Sequence, residues 1–150
     1  MSELTAELAA DQLLVTAVEV SPERGWIALA AEPAGHAGEH PAGALWLASP
    51  GDAAAQLTAG TARDHSPRWS PDSRTLYFLS DREKRGVSQL YRISPERGEA
   101  RALTDWEPGI VSYRPLPSMA AVLYARHIPP RGGDTLWLSA YAAYEGLSPA

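Results

Sequence analysis

Few residues in this sequence combine types and spacings that could do chemistry. Gly146-Leu147-Ser148-Pro149-Ala150 has the small-residue frame of a nucleophile elbow. A serine hydrolase holds its Ser on a sharp strand-to-helix turn, with a His and an acid in reach and a free backbone amide directly after the Ser for the oxyanion. Pro149 removes that amide and no helical stretch follows, so Ser148 is not read as a nucleophile. His36-Ala37-Gly38-Glu39-His40 brings two imidazoles and a carboxylate close together, which are metal-ligand types. They lie in a Gly/Pro-rich loop rather than on one helix face, without a further ligand nearby, and are expected to be a solvated connection. His65 and His127 are expected at loops or strand ends. Asp81-Arg82-Glu83-Lys84-Arg85 mixes both signs and reads as an exposed hairpin loop, with contact to a partner domain as its functional alternative. Asp72, directly after Pro71, is expected to bond its own turn amides. No catalytic, cofactor-binding or metal-binding residue is expected, and no cofactor.

The elements that would position these residues are short strands. Thirteen prolines and twelve glycines are spread through 150 residues and interrupt short apolar runs, the pattern of many strands joined by turns. The hydrophobic fraction of 45% is that of a globular chain, and a net charge of -5 offers no basic footprint for nucleic acid or an anionic membrane. The absence of cysteine excludes disulfides, thiolate metal sites and a thiol nucleophile within this sequence. With acids near Met1 instead of a basic, apolar leader, the chain is expected to be cytoplasmic. Residues 1–14 favour a short helix, with Leu4 and Leu8 at helical spacing and acids in the first turn.

From Val15 onward the sequence repeats itself. Ser21-Pro22 returns as Ser70-Pro71, Leu45-Trp46 as Leu90-Tyr91, and Leu57-Thr58 as Leu103-Thr104. Each unit holds a strand, a Ser-Pro turn, a strong strand, a loop, a third strand, a turn and a Leu-Thr closing strand. A period in the mid-forties with four short strands per unit is that of a propeller blade. A third unit starts at Tyr113-Arg114-Pro115, continues through Val122-Leu123-Tyr124-Ala125 and Thr135-Leu136-Trp137-Leu138, and has no Leu-Thr closure. The expected fold is all-β: a partial β-propeller of about three four-stranded antiparallel blades, with a short N-terminal helix. The blades are placed at about 15–60, 61–106 and 107–150, the last incomplete. Trp26, Trp46, Trp69, Trp106 and Trp137 are read as blade packing, since Trp46, Tyr91 and Trp137 recur at one repeat position.

Pro67-Arg68-Trp69-Ser70-Pro71-Asp72-Ser73 through Thr75-Leu76-Tyr77-Phe78-Leu79-Ser80-Asp81-Arg82 resembles the blade motif of TolB-like propellers. Gln89-Leu90-Tyr91, Gly98-Glu99-Ala100-Arg101 and Leu103-Thr104-Asp105 make the resemblance one to the prolyl oligopeptidase family, acylaminoacyl-peptidase branch. That resemblance implies a propeller that filters substrates over an α/β-hydrolase domain carrying the Ser-Asp-His triad. The hydrolase segment is not in this sequence, so the implied role is non-catalytic: a substrate-gating or scaffold part of a serine peptidase, truncated or split from its hydrolase domain. The alternative is a free-standing partial propeller that acts as a protein-interaction or self-assembling module through its open blade faces.

Overall fold

The computed structural model describes residues 12–35, 39–96, 98–116 and 120–123, the last four through their backbone. Among the described residues all regular structure is strand. The first sheet is an antiparallel meander of β1 (Leu13–Val20), β2 (Ile27–Pro33), β3 (Ala44–Ala48) and β4 (Ala55–Gln56). The second repeats it with β5 (Asp64–Trp69), β6 (Leu76–Ser80), β7 (Gln89–Ile93) and β8 (Arg101–Ala102). A hairpin of β9 (Ser112–Pro115) and β10 (Ala120–Leu123) follows. Two four-stranded antiparallel sheets in sequence, each a simple meander, are the blades the repeat implied.

Two expectations need correction. Leu13 and Leu14 belong to β1 and not to a helix, because they continue the ladder to Pro33 and Glu32; residues 1–11 of the expected helix lie outside the described residues. The closing strands are also shorter than Leu-Thr implied. β4 and β8 end before Leu57 and Leu103, and the threonines do a different job. The Thr58 hydroxyl accepts the Leu45 amide at 2.9 Å, and the Thr104 hydroxyl accepts the Leu90 amide at 2.9 Å. Leu57 and Leu103 donate their own amides to the Leu45 and Leu90 carbonyls. A side-chain latch thus takes over where the fourth strand stops, satisfying amides that would otherwise be buried without partners.

The Ser-Pro turns are equally regular. The Ser21 hydroxyl accepts the Trp26 amide at 2.8 Å, and the Ser70 hydroxyl accepts the Thr75 amide at 2.9 Å. In each case the Ser amide donates back to the carbonyl of the same residue, at 2.8 Å. Ser is needed because its hydroxyl bridges the turn from inside, where water has little access: Ser21 is 4% exposed and Ser70 7%.

The main core lies between the two blades. Ala28, Ala30 and Leu45 of the first sheet meet Trp69, Leu76, Phe78, Tyr91 and Ile93 of the second, with Ala17, Trp26 and Leu47 packed around them. Strand alternation explains the selection. Ala17 pairs with Ala30 and Ala30 with Leu45, so these share one face; Trp69, Leu76 and Ile93 line up across β5, β6 and β7 on the face opposite. Large side chains of one blade enter the space left by small ones of the other. Phe78 and Tyr91 stack with centroids 5.7 Å apart. A second, smaller core sets Leu79 and Leu90, on the far face of the second blade, against Ile110 and Tyr113.

Candidate interaction site

Two places gather chemistry-bearing groups, one between the blades and one on the free face of the first blade. The inter-blade cluster starts from the Asp81–Arg85 run. Its first residue departs from the exposed loop that the charge pattern implied: Asp81 is 2% exposed. Its carboxylate accepts the Arg63 amide at 2.8 Å and the Gly86 amide at 2.9 Å, and pairs with the Arg85 guanidinium. Burial would raise its pKa, but those two amides and the charges of Arg85 and His40 outweigh it and hold the group below the ordinary value. Gly86 closes this turn with φ +81°, and a β-carbon there would lie 2.6 Å from the His40 ring, so only glycine fits.

Arg82 reaches back across the sheet. Its guanidinium donates to both oxygens of Asp64, at 3.0 and 3.1 Å, and its Nε donates to the Ser80 hydroxyl at 3.0 Å. It also covers the Tyr91 ring at 4.7 Å and the Phe78 ring at 5.4 Å. Asp64 is 2% exposed, so this bidentate pair caps the aromatic core at its rim. A groove of about 320 Å³ runs beside it, lined by Thr58, Ala62, Asp64, Arg82, Ile93 and Glu99. The polar pair in its wall is mutually satisfied within the second blade; the links to the first blade are the Arg63–Glu32 pair and the bonds from Arg85 to the His40 and Pro41 carbonyls.

The other sequence candidates fall where their neighbours dictate. Asp72 accepts the Ser70 hydroxyl at 2.6 Å and the Arg74 amide at 3.1 Å, as its turn position implied, and these bonds lower its pKa. Glu39 is exposed, and the His40 carbonyl accepts from Arg85 at 2.7 Å. The His65 nitrogens lie 3.0 Å from the Ser66 hydroxyl and 3.1 Å from that of Ser88. Burial, helped by Arg63, lowers the His65 pKa from its ordinary 6.5. Tyr113 donates to the Ser66 carbonyl at 2.6 Å, and burial raises its pKa. Trp69 donates its indole N–H to the Glu19 carbonyl at 3.2 Å and meets Trp26 at 5.9 Å. His36, His127, Trp137 and Ser148 lie outside the described residues. Sequence reasoning missed Asp64 and Gln89. The Gln89 side-chain amide donates to the Trp106 carbonyl at 2.6 Å, while its oxygen accepts from Thr104 and the Trp106 amide. The signal for Gln89 was its place just before the Leu-Tyr strand motif; Asp64 carried none.

The second place is the outward face of the first blade. Leu13, Val15, Val18 and Val20 of β1 are 53 to 60% exposed, and Ile27 of β2 is 37% exposed. The ladder sets Val18 opposite Leu29, Leu29 opposite Trp46, and Val20 opposite Ile27. The result is an apolar sheet face, exposed along β1 and at Ile27 and half-buried at Leu29 and Trp46, whose Nε1 is buried without a hydrogen-bond partner.

A family model described as taurine catabolism dioxygenase TauD, TfdA family, matches residues 55–150. By the extent of that sequence match, the chain belongs to this family. Membership in the TauD, TfdA family does not bring a dioxygenase centre with it. Non-haem iron oxygenases hold the metal with two histidines and a carboxylate around open positions. In the matched span the histidines are His65 and His127. Both His65 nitrogens face serine hydroxyls, and the adjacent Asp64 gives both oxygens to Arg82. Among the described residues no three His, Asp or Glu side chains gather as a metal site. His65 and Asp64, so engaged, do not fit an iron centre. The other comparisons agree with the blades. The chain is 57% identical over 53 residues to an uncharacterized peptidase, YuxL, of Bacillus subtilis (strain 168), a stretch that is 35% of this chain and 8% of that protein. A solved structure from Agrobacterium tumefaciens described as a TolB superposes with a TM-score of 0.50 at 26% identity, over 67% of this chain and 34% of that one. The chain therefore spans well under two thirds of either relative.

Proposed function

We propose that this chain is the non-catalytic propeller part of a peptidase-family protein of the acylaminoacyl-peptidase kind, serving to gate or scaffold an α/β-hydrolase domain. The observation that carries this reading is the joint occurrence of two stacked blades and a 57%-identical stretch of a peptidase. The polar contacts between blades support it, since Arg63 pairs with Glu32 and Arg85 donates to the His40 and Pro41 carbonyls. The test is to mix the chain with an α/β-hydrolase domain from a peptidase of this kind. Hydrolysis of a short acylated nitroanilide and of a long unstructured peptide is then compared. A complex that slows the long substrate selectively supports gating. Hydrolysis by the chain alone that Ser148→Ala abolishes overturns the non-catalytic assignment. The second reading, a self-assembling partial propeller, is favoured by one feature, the apolar outward face of the first blade.

A further inference from the structure

We infer that the outer part of the second blade binds an acidic peptide segment, whose carboxylate side chains bridge Arg92 and Arg101. The inference goes beyond the gating proposal and needs no hydrolase partner.

Strand register places the two arginines. Arg68 of β5, Tyr77 of β6, Arg92 of β7 and Arg101 of β8 stand directly opposite one another across the sheet, so they form one row on one face. The equivalent row in the first blade is Glu19, Ala28, Leu47 and Ala55. There the residues suit a covered face: Ala28 is fully buried, and Leu47 packs against the core shared with the second blade. In the second blade Arg92 and Arg101 are both exposed. Guanidinium groups set behind a packed blade would lose their hydration at heavy cost. This part of the face is therefore suited to a charged partner, while Leu79 and Leu90 on the same face take the apolar cover of Ile110 and Tyr113.

The charge is uncompensated as well as exposed. Like charges directly opposite across a ladder repel, and the Cα atoms of facing residues are only about 4.5–5.5 Å apart. Among the described residues neither guanidinium has an ion pair. At the other end of the row Arg68 pairs with the Glu19 carboxylate at 3.0 Å. A glutamate from another segment thus already serves one arginine of the row, and the remaining two lack its counterpart. A hollow of about 370 Å³ opens beside them, with Thr75, Ser94 and Glu99 also in its lining. A carboxylate seated between the two guanidinium forks would accept from both, with two hydroxyls in the same wall as further donors. Glu99 and a net charge of -5 oppose a nucleic acid, which needs a broad basic surface. A peptide brings its carboxylates singly and avoids that repulsion.

The test is calorimetric titration of the chain with a short peptide of alternating glutamate and alanine, at low ionic strength, where exposed pairs are least screened. Binding is expected. Arg92→Gln with Arg101→Gln should weaken it about tenfold and leave the circular dichroism spectrum unchanged, since both side chains are exposed. Arg114→Gln, at an exposed position of β9, should bind as the wild type does. No binding of the acidic peptide, equal binding of its glutamine counterpart, or equal weakening by Arg114→Gln overturns the inference. Inorganic phosphate at the same concentration should not displace the peptide; displacement would reduce the place to a small-anion site and overturn the peptide assignment. Stability gives a second readout. Arg92→Gln or Arg101→Gln alone should raise the urea midpoint of the free chain, because a like-charge pair is relieved. The acidic peptide should stabilise the wild type more than either variant. A lowered midpoint would show that the pair is already compensated within the chain, which also overturns the inference. Neither readout involves a hydrolase domain, so failure here leaves the gating proposal standing.

Discussion

The same sheet face occurs twice among the described residues, once covered throughout and once exposed along its first strand. In the second blade Trp69 is 5% exposed and Leu76 fully buried; at the equivalent positions of the first blade Val20 is 60% exposed and Ile27 37%. The backbone pairing is the same in both. What differs, among the described residues, is that a blade packs against this face only in the second case. The comparison teaches that a blade's ladder is specified locally, by Ser-Pro turns and Thr latches, while the energetic value of its side chains depends on the next repeat, as expected when each unit contacts only its neighbours.

The contrast is broken most sharply by matched truncations. Phe78→Ala removes a fully buried ring stacked on Tyr91 beneath Arg82 and should cost about 3–5 kcal/mol. Leu29→Ala, its partner in the repeat, is partly buried and should cost roughly 1 kcal/mol in dilute solution. Urea midpoints at about 1 µM measure both, in the regime where assembly does not add to stability. Equal losses would mean that the outward face is already covered within one chain. The Leu29→Ala cost should also rise with protein concentration, and the Phe78→Ala cost should not.

Next in size is the ion pair of the second blade at the rim of the inter-blade core. Asp64→Ala leaves the Arg82 guanidinium without its carboxylate and should cost roughly 2 kcal/mol, less than for a fully enclosed pair because the Arg82 side chain keeps 30% exposure. Adding Arg82→Met should recover part of that loss, because the unpaired charge goes while the aliphatic cover over Phe78 and Tyr91 remains. No recovery in the double variant would show that the two residues act independently.

How much of this was legible follows from where each signal lives. The blades were readable because Ser70-Pro71 and Leu103-Thr104 are local chemistry, and each returns at the repeat spacing. Even so, the threonine's role as a latch was not, since a hydroxyl replacing a strand bond leaves no trace in apolar alternation. That ion pair was hidden for a different reason. Asp81 and Arg82 sit in a run of mixed charge that looks solvated, and only the fold brings Asp64, distant in sequence, to Arg82. The bare face was invisible at the level of one strand: Val18 and Val20 alternate as any core strand does, and their exposure depends on a neighbour that β1 does not encode.

The latches and the bulges test the comparison at finer grain. Thr58→Val and Thr104→Val each strand a backbone amide and should cost about 1–2 kcal/mol. Thr104 should be the costlier, because its hydroxyl also donates to Gln89, which ties down Trp106. The smallest effect separates the blades by pH. Both first strands shift register near their start, at Val15/Ala17 and at His65/Arg68, but Thr16 stands in one irregular segment and His65 in the other. His65 prefers its neutral form in the fold, because burial and Arg63 outweigh the opposing charges of Glu32, Asp81 and Asp64. The unfolded chain therefore binds more protons below the ordinary value of 6.5, so this contribution is complete above that pH and is lost as pH falls toward the lowered native value. His65→Gln should flatten the thermal midpoint over that interval, while Thr16→Val should leave its pH dependence unchanged. An identical acid slope in wild type and His65→Gln would show that the imidazole is solvated in the folded chain, and with it that the junction of the second blade and Tyr113 is open to water.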